Sequence, residues 1–162
     1  MRFNPAQLPL CAAALFSSLA FAGPGAVVEH KDVSLELANQ LTDATLESCH
    51  ADDRTAVVAV VDRGGRLVAL QRDDNIGPHN TRAAQRKAFT SLSTGTASRE
   101  LSRIARNDPE SQNLNTVDDL LLLGGGVPLK VDDAVIGAVG VAGAGGSAID
   151  EGCALDAVDE VL

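Results

Sequence analysis

The chain has 162 residues, enough for one domain and too few for two of ordinary size, and its 45% hydrophobic and 22% charged content excludes a disordered polymer. A net charge of −9 repels phosphate backbones, which argues against nucleic acid as a partner. The absence of Trp and Tyr points the same way: with Phe3, Phe16 and Phe21 all near the start, only Phe89 remains further along to stack on a base.

The first segment reads as an export signal. Arg2 supplies a positive start, Leu8 to Phe21 is an uncharged and mostly apolar run, and Ala20-Phe21-Ala22 has the small-x-small pattern of a cleavage site. The run is shorter than the roughly 20 apolar residues that span a bilayer, and Pro9 interrupts its start, so no stable membrane anchor is expected. Cys11 lies too early in the run to be a lipid attachment site. Cleavage after Ala22 leaves residues 23–162 as a single domain, periplasmic or secreted. That product has 140 residues and, with Arg2 gone, a charge of −10. It also lacks Met and Tyr, since Met1 is the sole methionine. Metal or haem ligands must then come from His30, His50, His79, Cys49, Cys153 or carboxylates. The two cysteines can form one disulfide in an oxidising compartment or serve as two separate buried thiols.

Beyond a small-residue entry segment, Gly23 to Glu29, Ser34 can cap a helix from Leu35 to Cys49 with apolar positions at three- and four-residue spacing. Thr55 to Val61 (TAVVAVV) is a β-branched run that reads as a buried strand, and Leu67 to Leu70 returns from it across the turn Arg63-Gly64-Gly65-Arg66. A polar loop, Arg72 to Pro78, leads to a helix from Asn80 to Ser93 that Gly95 ends. A shorter helix starting at Thr96 or Ser98 runs to Arg106, followed by a loop from Asn107 to Thr116. Leu120 to Leu123, Val127 to Val131 and Ala134 to Ala142 read as three more strands, the last two joined by a turn at Asp132-Asp133. Ser147 can cap a final helix, Ala148 to Val161, with Asp150 and Glu151 in its first turn. This order predicts an α+β domain in α/β/α layers: a five-stranded antiparallel sheet with helices packed on it.

The glycines do not make a nucleotide site. Gly124-Gly125-Gly126-Val127-Pro128-Leu129-Lys130 lacks the Gly-Lys-Ser/Thr of a phosphate loop, and the glycines between Gly137 and Gly146 do not open a helix after a first strand. Close packing and sharp turns account for them, with close backbone approach to a ligand as the alternative. Ser147 is not in a nucleophile elbow, and no CxxC or HExxH is present, so neither a serine hydrolase nor a structural zinc site is indicated. The helix from Asn80 is more informative. His79, Arg82, Ala83, Arg86 and Thr90 share one face, Lys87 lies beside it, and Ala84, Ala88 and Leu92 occupy the opposite, sheet-facing side. An imidazole one turn from two guanidiniums can ligate iron while the arginines neutralise carboxylates. A solvated face with a stray histidine has the same spacing. His50 reads as a helix C-terminal cap, and His30 lies in a segment ahead of the first helix.

Five pieces in order carry a family resemblance: Val58-Ala59-Val60-Val61-Asp62-x-x-Gly65-x-Leu67 with Arg72; Ala84-x-x-Lys87-Ala88-x-Thr90; Gly125-Gly126-Val127-Pro128; Ile136-Gly137-Ala138-Val139-Gly140-Val141; and Asp150. Residues 23–162 resemble, over nearly their whole length, the GlcG/HbpS-like haem-binding proteins, with a local departure at Ala142-Gly143, where Ser-Gly is usual. The resemblance implies a profilin-like domain assembled as a homo-oligomer, with haem as cofactor. It also implies that the first and last helices lie side by side, which would bring Cys49 and Cys153 within bridging range. Combined with the lack of Met and Tyr, it makes His79 the candidate axial ligand to haem iron, with Arg82, Arg86 and Lys87 near the propionates. The expected function is exported haem carriage, storage or sensing rather than catalysis. The alternatives are a haem-degrading or peroxidase-like enzyme and a binder of a small organic acid or corrinoid.

Overall fold

The computed structural model describes Gly25 and residues 27–162, so the expected export segment and its cleavage site after Ala22 lie outside the described residues. Residues 27–30, in the N-terminal of two compact units, have no regular structure, and the domain proper is the second unit, Lys31–Leu162. Its elements are α1 (Leu35–Ala51), β1 (Val57–Asp62), β2 (Leu67–Arg72), α2 (His79–Thr94), α3 (Ser98–Asn107), a 3-10 turn (Gln112–Thr116), β3 (Gly126–Val131), β4 (Ala134–Ala142) and α4 (Ser147–Val161). The strands form one antiparallel sheet in the order β2-β1-β4-β3. No helix among the described residues is long and apolar enough to cross a membrane.

The α+β architecture is as expected, but the sheet has four strands, not five. The missing strand is Leu120 to Leu123. Its backbone groups bond to side chains of the helices instead of a neighbouring strand: Thr90 Oγ1 accepts from the Leu121 N–H at 2.8 Å, Arg86 Nη2 donates to the Leu120 carbonyl at 2.7 Å, and Ser98 Oγ donates to the Leu123 carbonyl at 2.7 Å. A leucine run that satisfies its backbone this way has no need of a ladder.

Alternation along β1 and β4 gives the sheet two unlike faces. Val58, Val60, Val139 and Val141 form one side and build the main core with Ala38, Leu41 and Cys49 of α1 and Cys153 and Ala154 of α4. The opposite side is smaller: beside Val57 and Val61 of β1, Ala59, Ala138 and Ala142 meet Ala84 and Ala88 of α2. Gly126 and Gly140 are register partners on this side. A methyl group at Gly140 would lie 2.1 Å from the Ala84 carbonyl oxygen, and one at Gly126 would lie 2.1 Å from that of Lys87. The glycine pair therefore brings the α2 backbone directly onto the sheet, which is the close-packing role expected of these glycines.

Both hairpins follow their turn chemistry. Asp132 and Asp133 both have positive φ, 48° and 62°, as a two-residue turn matched to strand twist requires. In the other turn Gly65 has φ 77°, and its backbone lies against the Phe89 ring with no room for a side chain. Cys49 and Cys153 form a disulfide joining α1 to α4, with Cα atoms 5.3 Å apart. Two expected caps have other roles. Ser147 Oγ accepts from the Gly124 N–H at 3.2 Å, leaving Gly146 at the N-cap of α4. His50 Nε2 pairs with Asp73 at 2.9 Å, while the end of α1 is closed by the Asp52 N–H on the Cys49 carbonyl and the Asp53 N–H on that of His50.

Candidate functional site

Helix α2 begins at His79, directly after Gly77-Pro78, and Pro78 sits at the N-cap, where its missing N–H is no loss. A side chain on Gly77 would meet the His79 imidazole at 3.0 Å, so glycine there leaves the exposed ring its place. Positions i, i+3, i+4 and i+7 from His79 bring Arg82, Ala83 and Arg86 along the same face, as the spacing predicts. Together with Leu121 and Leu123 these four residues line an open cleft of about 390 Å³. Its volume is at the lower end for small-molecule sites, so a large planar ligand would lie partly outside it.

The far wall was not legible as such. Leu121 and Leu123 belong to a strap, residues 117–123, that crosses beside α2 without joining the sheet. Leu123 is 51% exposed, which is costly for a leucine in water unless something covers it. Arg86 holds the strap: its Nη2 donates to the carbonyls of Asp118 and Leu120, each at 2.7 Å. Arg86 Nε is buried and has no hydrogen-bond partner. The same residue lines a second, smaller hollow of about 160 Å³ with Val61, Gly65, Leu67, Gln85, Phe89 and Asp119.

Lys87 does not join His79, Arg82 and Arg86. One position past Arg86, it turns into the interior, where its ammonium donates to Asp150 Oδ2 at 2.6 Å and to the Val141 carbonyl at 2.8 Å. Both side chains of the pair are only 5% exposed. Asp150 Oδ1 accepts from the Ala144 N–H at 2.9 Å, so the carboxylate is satisfied on both oxygens. A cation held this way cannot reach a ligand in the cleft, and the expected placement of Lys87 near propionates is corrected. The reason is a partner 63 residues away, which helical periodicity cannot reveal.

His30 is exposed and lies in the N-terminal unit, and the His50 ring is engaged by Asp73. No group of three or more His, Cys, Asp or Glu residues suited to a metal ion occurs among the described residues. On α3 the shifted groups are surface ones: Arg103 lowers the Glu100 carboxyl by direct hydrogen bonds and is itself raised. Beyond it, the Ser111 hydroxyl and then the Glu110 N–H hold Asp108 below the usual carboxylate range.

Comparison with known proteins follows the same outline. A family described as haem degrading protein HbpS-like matches residues 33–159. Protein GlcG of Escherichia coli K12 is 32% identical over 109 residues, covering 67% of this chain and 80% of GlcG. A double mutant of HbpS from Streptomyces reticuli superposes with a TM-score of 0.80 at 30% identity, covering 98% of this chain and 99% of that one. A PduOC–haem complex superposes with a TM-score of 0.71 at 26% identity, covering 79% and 94%. Strand, glycine and helix motifs thus agree with the whole-domain match, and the chain belongs to the HbpS-like family.

Proposed function

We propose that the protein is an exported haem-binding protein whose cleft at His79 would hold the porphyrin, with the His79 imidazole as the iron ligand and Arg82 pairing with a propionate. The observation that carries this reading is the convergence of an exposed imidazole, two guanidiniums and the apolar side chains of Ala83, Leu121 and Leu123 on one cleft. The donor set fits the group: a neutral nitrogen for iron, aliphatic surface for the ring, and cationic nitrogens, including the unpartnered Nε of Arg86, for the acids. Family membership and the PduOC–haem complex among the structural relatives support haem as the ligand class. When bound, haem supplies an iron centre for ligand exchange and redox chemistry; the chain's own residues ligate, orient and neutralise it. The Cys49–Cys153 bridge supports the oxidising location that the N-terminal signal implies. The homo-oligomeric state expected from the resemblance belongs to the same proposal.

Hemin titration is expected to give a saturable Soret band that His79→Ala shifts or abolishes, while His30→Ala and His50→Ala leave it unchanged. Arg82→Glu is expected to weaken binding about tenfold or more, the loss of a charge-assisted hydrogen bond, without altering the band position. An unaltered spectrum and affinity in His79→Ala overturns the ligand assignment. The family description favours a second reading, in which bound haem is degraded. Bleaching by peroxide and reductant with release of a bile pigment would select it over carriage. For export, intact mass of natively produced protein is expected to begin at Gly23, and a retained Met1 overturns that part.

A further inference from the structure

A carboxylate grips a guanidinium through two parallel N–H groups, taken either from Nε and Nη2 or from Nη1 and Nη2. Both grips require Nη2. In Arg86 both hydrogens of Nη2 are already given to the strap, one to the Asp118 carbonyl and one to that of Leu120, each at 2.7 Å. Nε, the other half of one grip, is buried without a partner. Arg86 also lines the cleft beside His79 and Arg82, where an acidic ligand would arrive. A ligand carboxylate that takes a forked hold on Arg86 must therefore displace one strap carbonyl.

We propose that Arg86 is a carboxylate-operated latch: an acidic ligand in the cleft and the strap 117–123 compete for Nη2, so that binding loosens the strap. This rests on the haem reading above, and it names which part of that ligand the protein senses. Arg82 makes no hydrogen bond to the strap among the described residues and holds a carboxylate without breaking a strap hydrogen bond. Arg86 reads the acid and reports it to the chain. The strap has few other fastenings on this side: the Leu121 N–H on Thr90 Oγ1 and the Leu123 carbonyl on Ser98 Oγ. Losing one of the two Arg86 bonds is a substantial fraction of what holds it. The strap supplies Leu121 and Leu123 to the cleft wall and Asp119 to the smaller hollow, so its release changes both cavities together.

Hydrogen exchange of the segment 117–123 tests the latch, with hemin and hemin dimethyl ester as probes. The ester retains iron for His79 and offers no carboxylate. Hemin is expected to speed exchange in the strap about tenfold, the effect of one lost hydrogen bond to a charged donor, whereas the ester leaves it unchanged. In Arg86→Ala the strap should exchange faster before any ligand is added, and hemin should add nothing. Arg86→Lys can still donate to both carbonyls but has no forked grip, so it should keep the strap protected with and without hemin. A Soret band with unchanged or slower strap exchange overturns the latch and leaves the haem reading standing. No Soret change with either porphyrin overturns both.

Discussion

Replacing Asp150 with alanine is expected to lower the unfolding free energy by about 3–5 kcal/mol, the cost of stranding a buried charge. The lysine it abandons is 4% exposed, with the Val141 carbonyl as its remaining partner, and the Ala144 N–H loses its acceptor as well. The double replacement Lys87→Met with Asp150→Leu should recover most of that loss, because a shape-matched apolar pair avoids the desolvation penalty that the ion pair must overcome. Urea denaturation of the three proteins, with m held constant, separates these outcomes. A single-variant loss below about 1 kcal/mol would mean that water reaches the site and that the pair is a surface bridge in disguise.

Converting both Cys49 and Cys153 to serine should lower stability by about 4 kcal/mol, because the bridge closes a loop across a sequence separation of 104 and long loops lose the most entropy on cross-linking. For a domain of this size that corresponds to a fall in Tm of about 10–15 °C. The wild-type protein melted in reductant should match the double variant. A drop of only a degree or two would show that the unfolded chain is already compact enough for the link to constrain little.

Local patterns were legible where a residue's role is decided by its neighbours in sequence. The β-branched run of β1, the Gly65 turn, the paired aspartates at 132 and 133, and the alanine face of α2 each act within a few positions, and each stands where expected. The face carrying His79, Arg82 and Arg86 was legible for the same reason. What escaped was decided by distant partners. Leu120 to Leu123 resembles a strand in composition, and only the hydroxyls and guanidinium of α2 and α3, 25 to 34 positions earlier, hold it off the sheet. Lys87 falls beside the polar face by angle, yet an acceptor on α4 draws it inward. The cysteines illustrate the middle case. Their bridge was one of two open readings, one that the family resemblance made possible by allowing α1 to lie beside α4 and that the structure shows formed.

Helix α4 follows every other element in the chain, and it carries both Cys153 and Asp150. Until it emerges from the ribosome, Cys49 has no mate and Lys87 has no counter-charge, so residues 31–146 lack two of the fastenings of their final arrangement. Such a polypeptide stays pliable until α4 supplies both fastenings, the ionic one through Asp150 and, once oxidising conditions are met, the covalent one through Cys153. Contacts this remote in sequence slow the locking step further, which widens the interval during which the chain can be handled unfolded.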